Sequence, residues 1–493
     1  MTAHRWLYES LRTEILEGRL RPGARIPGTR DLAGQYGLSR GTIVSAFEQL
    51  KSEGYLEGSV GSGTYVSTVL PEDLLQVKRR PAAGMQIPRK PRRLSDYGAR
   101  VKLFAGYEIR PTRAFRSNIP ALDLFPVSLW SQITARRLRR VSTYDLMGSG
   151  SMGYPPLQEA IAGYLATRGV RCEAAQIVIV SGVQEALDLS ARILLDPGDR
   201  VCMEDPGYIG AAIVFEAMGA KVSAVRMDAG GMKIPGPAFR DSRLVYVTPG
   251  HQFPLGVTMT LPRRLGLLEW ARNCGTLILE DDYDSEFRYS SRPVPALQGL
   301  DRAGVVLFAG TFRKVLFPSL RLGYLVVPAD LVDRFAAAKS VTSRHSPLLD
   351  QAVLCDFINE GHFGRHLRRM REVYAERLWV LRESAKEKLA GLLDISKIEA
   401  GLQTVGWLRD GIEDEAAAAA AAERGVEVTP LRRYSRGRAA RGALHLGFAA
   451  VDPREIRRGV RELAAALENL VIARNISPAG GRRSPMPPGR RRS

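Results

Sequence analysis

"AGTFRKVLFPSLRLGYLVVP", residues 309–328, sets one lysine, Lys314, between a small-residue turn and an arginine, Arg321, seven positions on. The runs on either side, "VVLFAGTF" and "LRLGYLVV", read as short β-strands, so Lys314 falls on the loop that joins them. Similar β-rich runs recur upstream as "QIVIVSG", "DRVCMED", "RLVYVTP" and "TLILEDD", with helical stretches between them. From roughly residue 114 onward this alternation predicts an α/β domain with a mainly parallel sheet.

A lysine is ordinarily a solvated surface cation, but one held in a cleft can lose its proton and attack a carbonyl to form a Schiff base. Three other stretches bear on that chemistry. "LILEDDYDSEF" puts Asp281 at the end of an apolar run and Tyr283 two residues on, facing the same way. An acidic cluster suits a solvated loop, but a carboxylate at the end of a strand in an open α/β sheet lies where ligands bind. "VIVSGVQEALDL" breaks from strand to helix through Ser181 and Gly182, so the amides of Gly182, Val183 and Gln184 point at an anion. "TPGHQFPLGVTM" sets His251, Gln252 and Phe253 on a proline-limited turn, suited to lining a pocket and equally to a rigid loop. A pyridine cofactor acting as an electron sink needs such a set: a lysine, a carboxylate to keep its ring nitrogen protonated, and a phosphate site at a helix start.

The other end of the chain has a different texture. Leu7, Leu11, Ile15 and Leu16 recur at helical spacing before "EGRLRPG" stops the helix. A second short helix follows "RIPGT", with Thr29 as its cap and Leu32, Ala33 and Tyr36 as its inner face; Gly37 then permits a turn. Ser39 caps a third helix that turns Ile43, Phe47 and Leu50 inward, and Tyr55, Val60, Tyr65 and Val66 alternate around glycines as in a two-stranded wing. This is helix-turn-helix spacing, in which the first turn of the third helix enters the major groove. The residues offered to DNA are Ser39, Arg40, Gly41 and Thr42, with Arg30 from the preceding helix. Arg40 suits guanine, and Arg30, Ser39 and Thr42 suit phosphates.

Composition bounds the rest. The 493 residues are too many for one ordinary domain, and no apolar run approaches the roughly 20 residues needed to cross a bilayer. The start does not read as a signal peptide, so a cytoplasmic protein is expected. Four cysteines, Cys172, Cys202, Cys274 and Cys355, lie far apart, which indicates neither a metal site nor a disulfide framework. Of the net charge of +19, residues 69–113 carry +7 and residues 474–493 carry +6. Such basic segments suit an anionic polymer and also occur as plain solvated linkers. The expected layout is a DNA-binding module over 1–68, a basic proline-rich linker over 69–113, the α/β domain over 114–473 and a disordered basic tail over 474–493. The alanines 416–422 read as a plain helix.

The stretches "LRPG", "TRDLA", "LSRGTI" and "GSGTYV" closely resemble the winged helix of GntR-type transcription regulators. Roughly residues 114–470 resemble fold type I, pyridoxal-phosphate-dependent aminotransferases. Joined as "SGVQEALDL", "EDPGY", "HQFPLG", "EDDYDSEF" and "LRLGY" behind a winged helix, they look like the MocR family of pyridoxal-phosphate-binding regulators. The resemblance makes Lys314 the Schiff-base lysine, Asp281 the partner of the pyridine nitrogen and Tyr283 that of the phenolic oxygen. It makes Gly182, Val183, Gln184 and Arg321 phosphate binders and sets Tyr208 near the cofactor ring. His251 and Phe253 would line the effector site, and an arginine among Arg432, Arg433, Arg436, Arg438 and Arg441, with Arg441 chosen, would hold an effector carboxylate. The chain departs from the family pattern at Arg313, where a serine is common, at Gly250 and Leu255, and at Gly41.

The resemblance implies a homodimer, head to tail, that binds promoter DNA and senses an amine or amino acid through the Schiff-base lysine. A working aminotransferase with an accessory DNA-binding module is the alternative. The complete winged helix and the altered pocket favour the regulator.

Overall fold

The computed structural model describes residues 2–59, 63–71, 92–104, 110–289, 294–437 and 441–476. They divide into two compact units, Met1–Arg92 and Arg93–Ser493.

In the smaller unit α1 (Ala3–Leu16), α2 (Thr29–Tyr36) and α3 (Arg40–Ser52) pack with a sheet of β1 (Arg25–Ile26), β2 (Leu56–Ser59) and β3 (Gly63–Val66), in the order β1-β3-β2. Leu7, Leu11 and Ile15 from α1 meet Ile43, Phe47 and Leu50 from α3 in one core. Ser39 caps α3 by accepting from the Thr42 amide at 3.1 Å. Gly37 turns the chain with φ 63°. Three details differ from the sequence reading. The α2 cap is Gly28, with Thr29 inside the first turn, because its side chain makes no capping bond. Leu16 and Tyr36 are exposed; Tyr36 meets the Trp6 ring edge-on at 5.7 Å, so an aromatic pair at the surface takes the place of burial. Val60 lies outside the described residues. Replacing Ser39 with Ala removes a cap worth about 1 kcal/mol. Hydrogen exchange across α3 should then quicken by about fivefold.

The larger unit is built on eight strands in the order β4-β11-β10-β9-β8-β5-β6-β7. These are β4 (Ile177–Val180), β5 (Arg200–Asp205), β6 (Lys221–Asp228), β7 (Gly231–Met232), β8 (Ser242–Val247), β9 (Leu277–Asp282), β10 (Val306–Thr311) and β11 (Gly323–Val326). The central pairs are parallel, as the strand-helix rhythm predicts, while β11 runs against both its neighbours and β7 against β6. The strand β11 follows β10 after a loop too short for a helical crossover, which forces the antiparallel turn. Helices cover the sheet and bury near-continuous runs such as Val178, Val180, Leu279, Leu307 and Leu325. A second sheet, order β12-β13-β15-β14, joins Leu393–Ile395, Gln403–Leu408, Ala443–Gly447 and Thr429–Pro430. The alanine run forms the helix Asp414–Glu423.

The expected linker over 69–113 needs correction at its end. Ser95 caps a helix, Asp96–Arg100, and Arg100 Nε donates to the Ala217 carbonyl at 3.1 Å, so this stretch belongs to the larger unit. A one-turn helix held by a cap and one side-chain bond has no apolar period to find. The helix Pro453–Ile476 likewise passes residue 474. The rest of the tail, 477–493, and the linker residues 72–91 and 105–109 lie outside the described residues. No described helix is long and apolar enough to cross a membrane.

Candidate functional site

Five parallel strands deliver their carboxyl ends to one region, as in other open α/β sheets. The strand β4 runs into Ser181 and Gly182, β5 into Glu204 and Asp205, β8 into Thr248, β9 into Asp281 and Asp282, and β10 into Thr311 and the loop of Lys314.

Lys314 is buried, its Nζ 3.8 Å from the centre of the Tyr283 ring and 5.9 Å from that of Phe253. Burial pulls its pKa down to about 8; the Asp284 carboxylate resists, Arg313 adds to the fall, and Asp281 resists. On the neighbouring strand, Asp281 accepts a bond from the Tyr246 hydroxyl at 2.6 Å through one oxygen, while its Oδ1 is buried with no partner. Burial pushes the pKa of Asp281 up to about 7. An unpaired buried acceptor is costly, so this oxygen calls for a donor.

The Tyr283 hydroxyl lies 3.2 Å from His251 Nδ1, which also meets Asp284 Oδ1 at 2.8 Å. Against the effect of burial, His251 and Lys314 hold Asp284 below the ordinary carboxylate range. With that carboxylate accepting, Nδ1 of His251 is the donor, and the buried Nε2 has no partner. Gly401, at φ 88°, makes room for the ring: a Cβ there would come within 2.0 Å of it. Gln252 ties the loop down by donating to the Pro206 carbonyl at 2.8 Å, and Glu204, raised to about 7 by burial, accepts from Thr248 Oγ1 at 2.6 Å. Phe253 meets Tyr208, Tyr283, Tyr434 and His445 edge-on, with ring centres 5.0 to 5.9 Å apart.

Gly182 caps the helix Val183–Leu194 with φ 129°, a conformation that a side chain would strain. The amides of Val183 and Gln184 open that helix and have no carbonyl one turn back to bond. Arg321 adopts φ 52° and its exposed side chain makes no hydrogen bond or ion pair to a described residue.

Of the sequence-chosen residues, Tyr283 and Phe253 stand beside Lys314, His251 and Tyr208 lie against those rings, and Asp281 is on the adjacent strand, while Gly182, Val183 and Gln184 follow β4 and Arg321 precedes β11. Arg441 is fixed elsewhere: it donates to the Leu408 carbonyl at 2.9 Å and to Asp394 Oδ2 at 3.2 Å. Of the other candidates, Arg432 pairs with Asp414, Arg433 with Glu415 and Arg436 with Glu216, while Arg438 lies outside the described residues. Sequence reasoning missed Asp284, Tyr246, Tyr434 and His445. Asp284 sits in the quoted "EDDYDSEF" and could have been found as the third aspartate of that stretch. The other three carry no local signal.

In the smaller unit Arg30, Ser39, Arg40 and Gly41 are exposed on the first turns of α2 and α3. Thr42 is half-buried, and its hydroxyl is 2.8 Å from Ser39 Oγ, so these two groups serve each other.

Residues 4–66 match the family "Bacterial regulatory proteins, gntR family", and residues 131–463 match "Aminotransferase class I and II". Over 94% of this chain and 93% of its own length, the "Probable rhizopine catabolism regulatory protein MocR" of Rhizobium meliloti is 42% identical. The "HTH-type transcriptional regulator TauR" of Rhodobacter capsulatus is 32% identical, over 92% of this chain and 94% of its own. Among solved structures, the α-aminoadipate aminotransferase LysN of Thermus thermophilus is 27% identical with a TM-score of 0.70, covering 77% of this chain and 98% of that one. A gntR-type helix-turn-helix ahead of an aminotransferase-like domain, matched over nearly the whole length by such regulators, means that the chain belongs to the MocR family of transcription regulators.

Proposed function

We propose that this regulator holds pyridoxal phosphate on Lys314 and reads a small amine through it, altering the grip of the winged helix on promoter DNA. The observation that carries the reading is the buried Asp281 Oδ1, left without a donor on the strand beside a buried lysine. The residues suit the cofactor. Asp281 would accept from its ring nitrogen, Lys314 would hold its aldehyde carbon, and the amides opening the helix Val183–Leu194, with the free cation of Arg321, would take its phosphate. Tyr208 and Phe253 supply aromatic walls, and Tyr283 keeps a hydroxyl within reach of His251.

When bound, the cofactor supplies an aldehyde carbon that can exchange the lysine for an effector's amine. Lys314 must be neutral to attack. Its amine fraction grows with pH up to its pKa of about 8, so cofactor attachment should speed up about tenfold from pH 6 to pH 7 and level off above about pH 8. Stopped-flow absorbance checks this, and a flat profile would contradict a lysine held at that pKa.

An effector alters DNA affinity only by binding two conformations unequally, which corresponds to a coupling of about 1–3 kcal/mol. A homodimer, which two DNA half-sites favour, is supported by the exposed Tyr144, Leu146 and Met147, at 79%, 73% and 84%.

The decisive experiment is binding of holo-protein to its own upstream DNA against scrambled DNA at near-physiological salt. Arg40→Ala should weaken specific binding by about 1–3 kcal/mol and nonspecific binding much less. Equal losses would make Arg40 a phosphate contact. Steady production of keto acid from an amino acid, with no DNA preference, would favour a transaminase.

A further inference from the structure

His445 is fully buried in the middle of β15, paired with Val405 on one side and Thr429 on the other. Its ring flanks Phe253 at 5.3 Å, and Lys314 Nζ flanks the same phenylalanine at 5.9 Å. The Tyr434 hydroxyl stands 3.5 Å from His445 Nδ1, while Nε2 is buried with no partner. Burial first, then the charge of Lys314, then His251 press its pKa down to about 3, against Asp284, so the ring is neutral at physiological pH.

Among the described residues, no side chain, cationic or neutral, hydrogen-bonds that buried Nε2 atom. Four of the arginines that could have met a carboxylate are committed to Asp414, Glu415, Glu216 and Asp394. The charged groups that act on the ring are Lys314, which is assigned to the cofactor; His251; and the carboxylate of Asp284, which repels an anion. One neutral imidazole gives a buried carboxylate a single hydrogen bond and no counter-charge, so burying that anion here is costly. A hydroxyl avoids the cost, since it can donate to or accept from Nε2, whichever tautomer Tyr434 selects.

We infer that His445 Nε2 is the specificity contact of the effector site, and that the effector is a hydroxylated primary amine without a carboxylate at that position. The inference rests on the proposal that an amine exchanges with Lys314. It gives His445 a role in selecting the ligand and none in the exchange itself.

A matched pair tests it: 2-amino-1,3-propanediol and L-serine share a skeleton and differ in a hydroxymethyl against a carboxylate. Each is titrated into holo-protein, following the cofactor absorbance band. The diol should bind at least tenfold more tightly than serine. His445→Arg should reverse that order by supplying the missing charge, while His445→Gln, neutral and able to hydrogen-bond, should keep it. Serine equal to or tighter than the diol in the unaltered protein overturns the inference, as does binding of neither amine or an order unmoved by His445→Arg. Failure of the underlying reading shows separately, as holo-protein in which borohydride fixes no cofactor to Lys314. If the arginine variant does not fold, as judged by circular dichroism, the unaltered protein and His445→Gln still decide the question.

Discussion

Lys314→Ala should abolish cofactor fixation by borohydride altogether, with the fold intact. The lysine is the buried nucleophile of the cleft, its amine lowered to a pKa of about 8 and set 3.8 Å from the Tyr283 ring centre. Alanine removes a desolvated ammonium, so the stability of the larger unit should hold or rise, while the covalent link has no substitute. Mass spectrometry of the reduced protein checks it. A cofactor found on another lysine, such as the buried Lys339, would sink the assignment. That is not expected, because Lys339 is already paired with Glu185 at 2.5 Å.

Arg168→Met should unfold the larger unit more readily, by about 3–5 kcal/mol. Arg168 bridges two carboxylates at the turn that follows β9: Nη2 meets Asp282 Oδ2 at 2.6 Å and Nη1 meets Glu286 Oε1 at 2.7 Å, all largely buried. The Tyr164 hydroxyl donates to the same Glu286 oxygen at 2.7 Å. Methionine fills the space but leaves two buried anions unanswered, with Asp282 directly after Asp281. Denaturant unfolding should show the loss, and Glu286→Gln added to Arg168→Met should recover part of it. A loss below about 1 kcal/mol would mean that the carboxylates find protons or water instead.

Much of this site was legible because it sits at strand ends. An apolar run that stops at a polar residue marks the carboxyl edge of a sheet, and "LILEDD", "VIVSG" and "LFAGTF" each do so. Their residues Asp281, Gly182 and Lys314 consequently lie toward one edge of the sheet, because β9 and β10 pair in parallel and β4, set against β11, runs the same way as both. The helix-turn-helix was legible for a similar reason: the Ser39 cap, the Gly37 turn and the inward face of Ile43, Phe47 and Leu50 are all set within a few residues.

What failed was any assignment that depended on distant partners. Arg441 was chosen as a cation near "LHLGFA", but its side chain follows Asp394 and Leu408, 47 and 33 residues away. The end of the linker was missed because a capped single turn leaves no period in the chain.

The amino-acid sequence by itself determined that the six quoted apolar runs are strands, where each one stops, and where α3 begins. Periodicity, capping and turn chemistry act over a handful of residues. Tertiary structure alone decided that His251 meets Asp284, that Arg168 closes the turn after β9, and that His445, through the pairing of β15 with β13, stands beside Phe253 in the Lys314 cleft. Those contacts come from sheet register and long-range burial, and a buried histidine between apolar neighbours reads in sequence as ordinary core until the strands around it are in place.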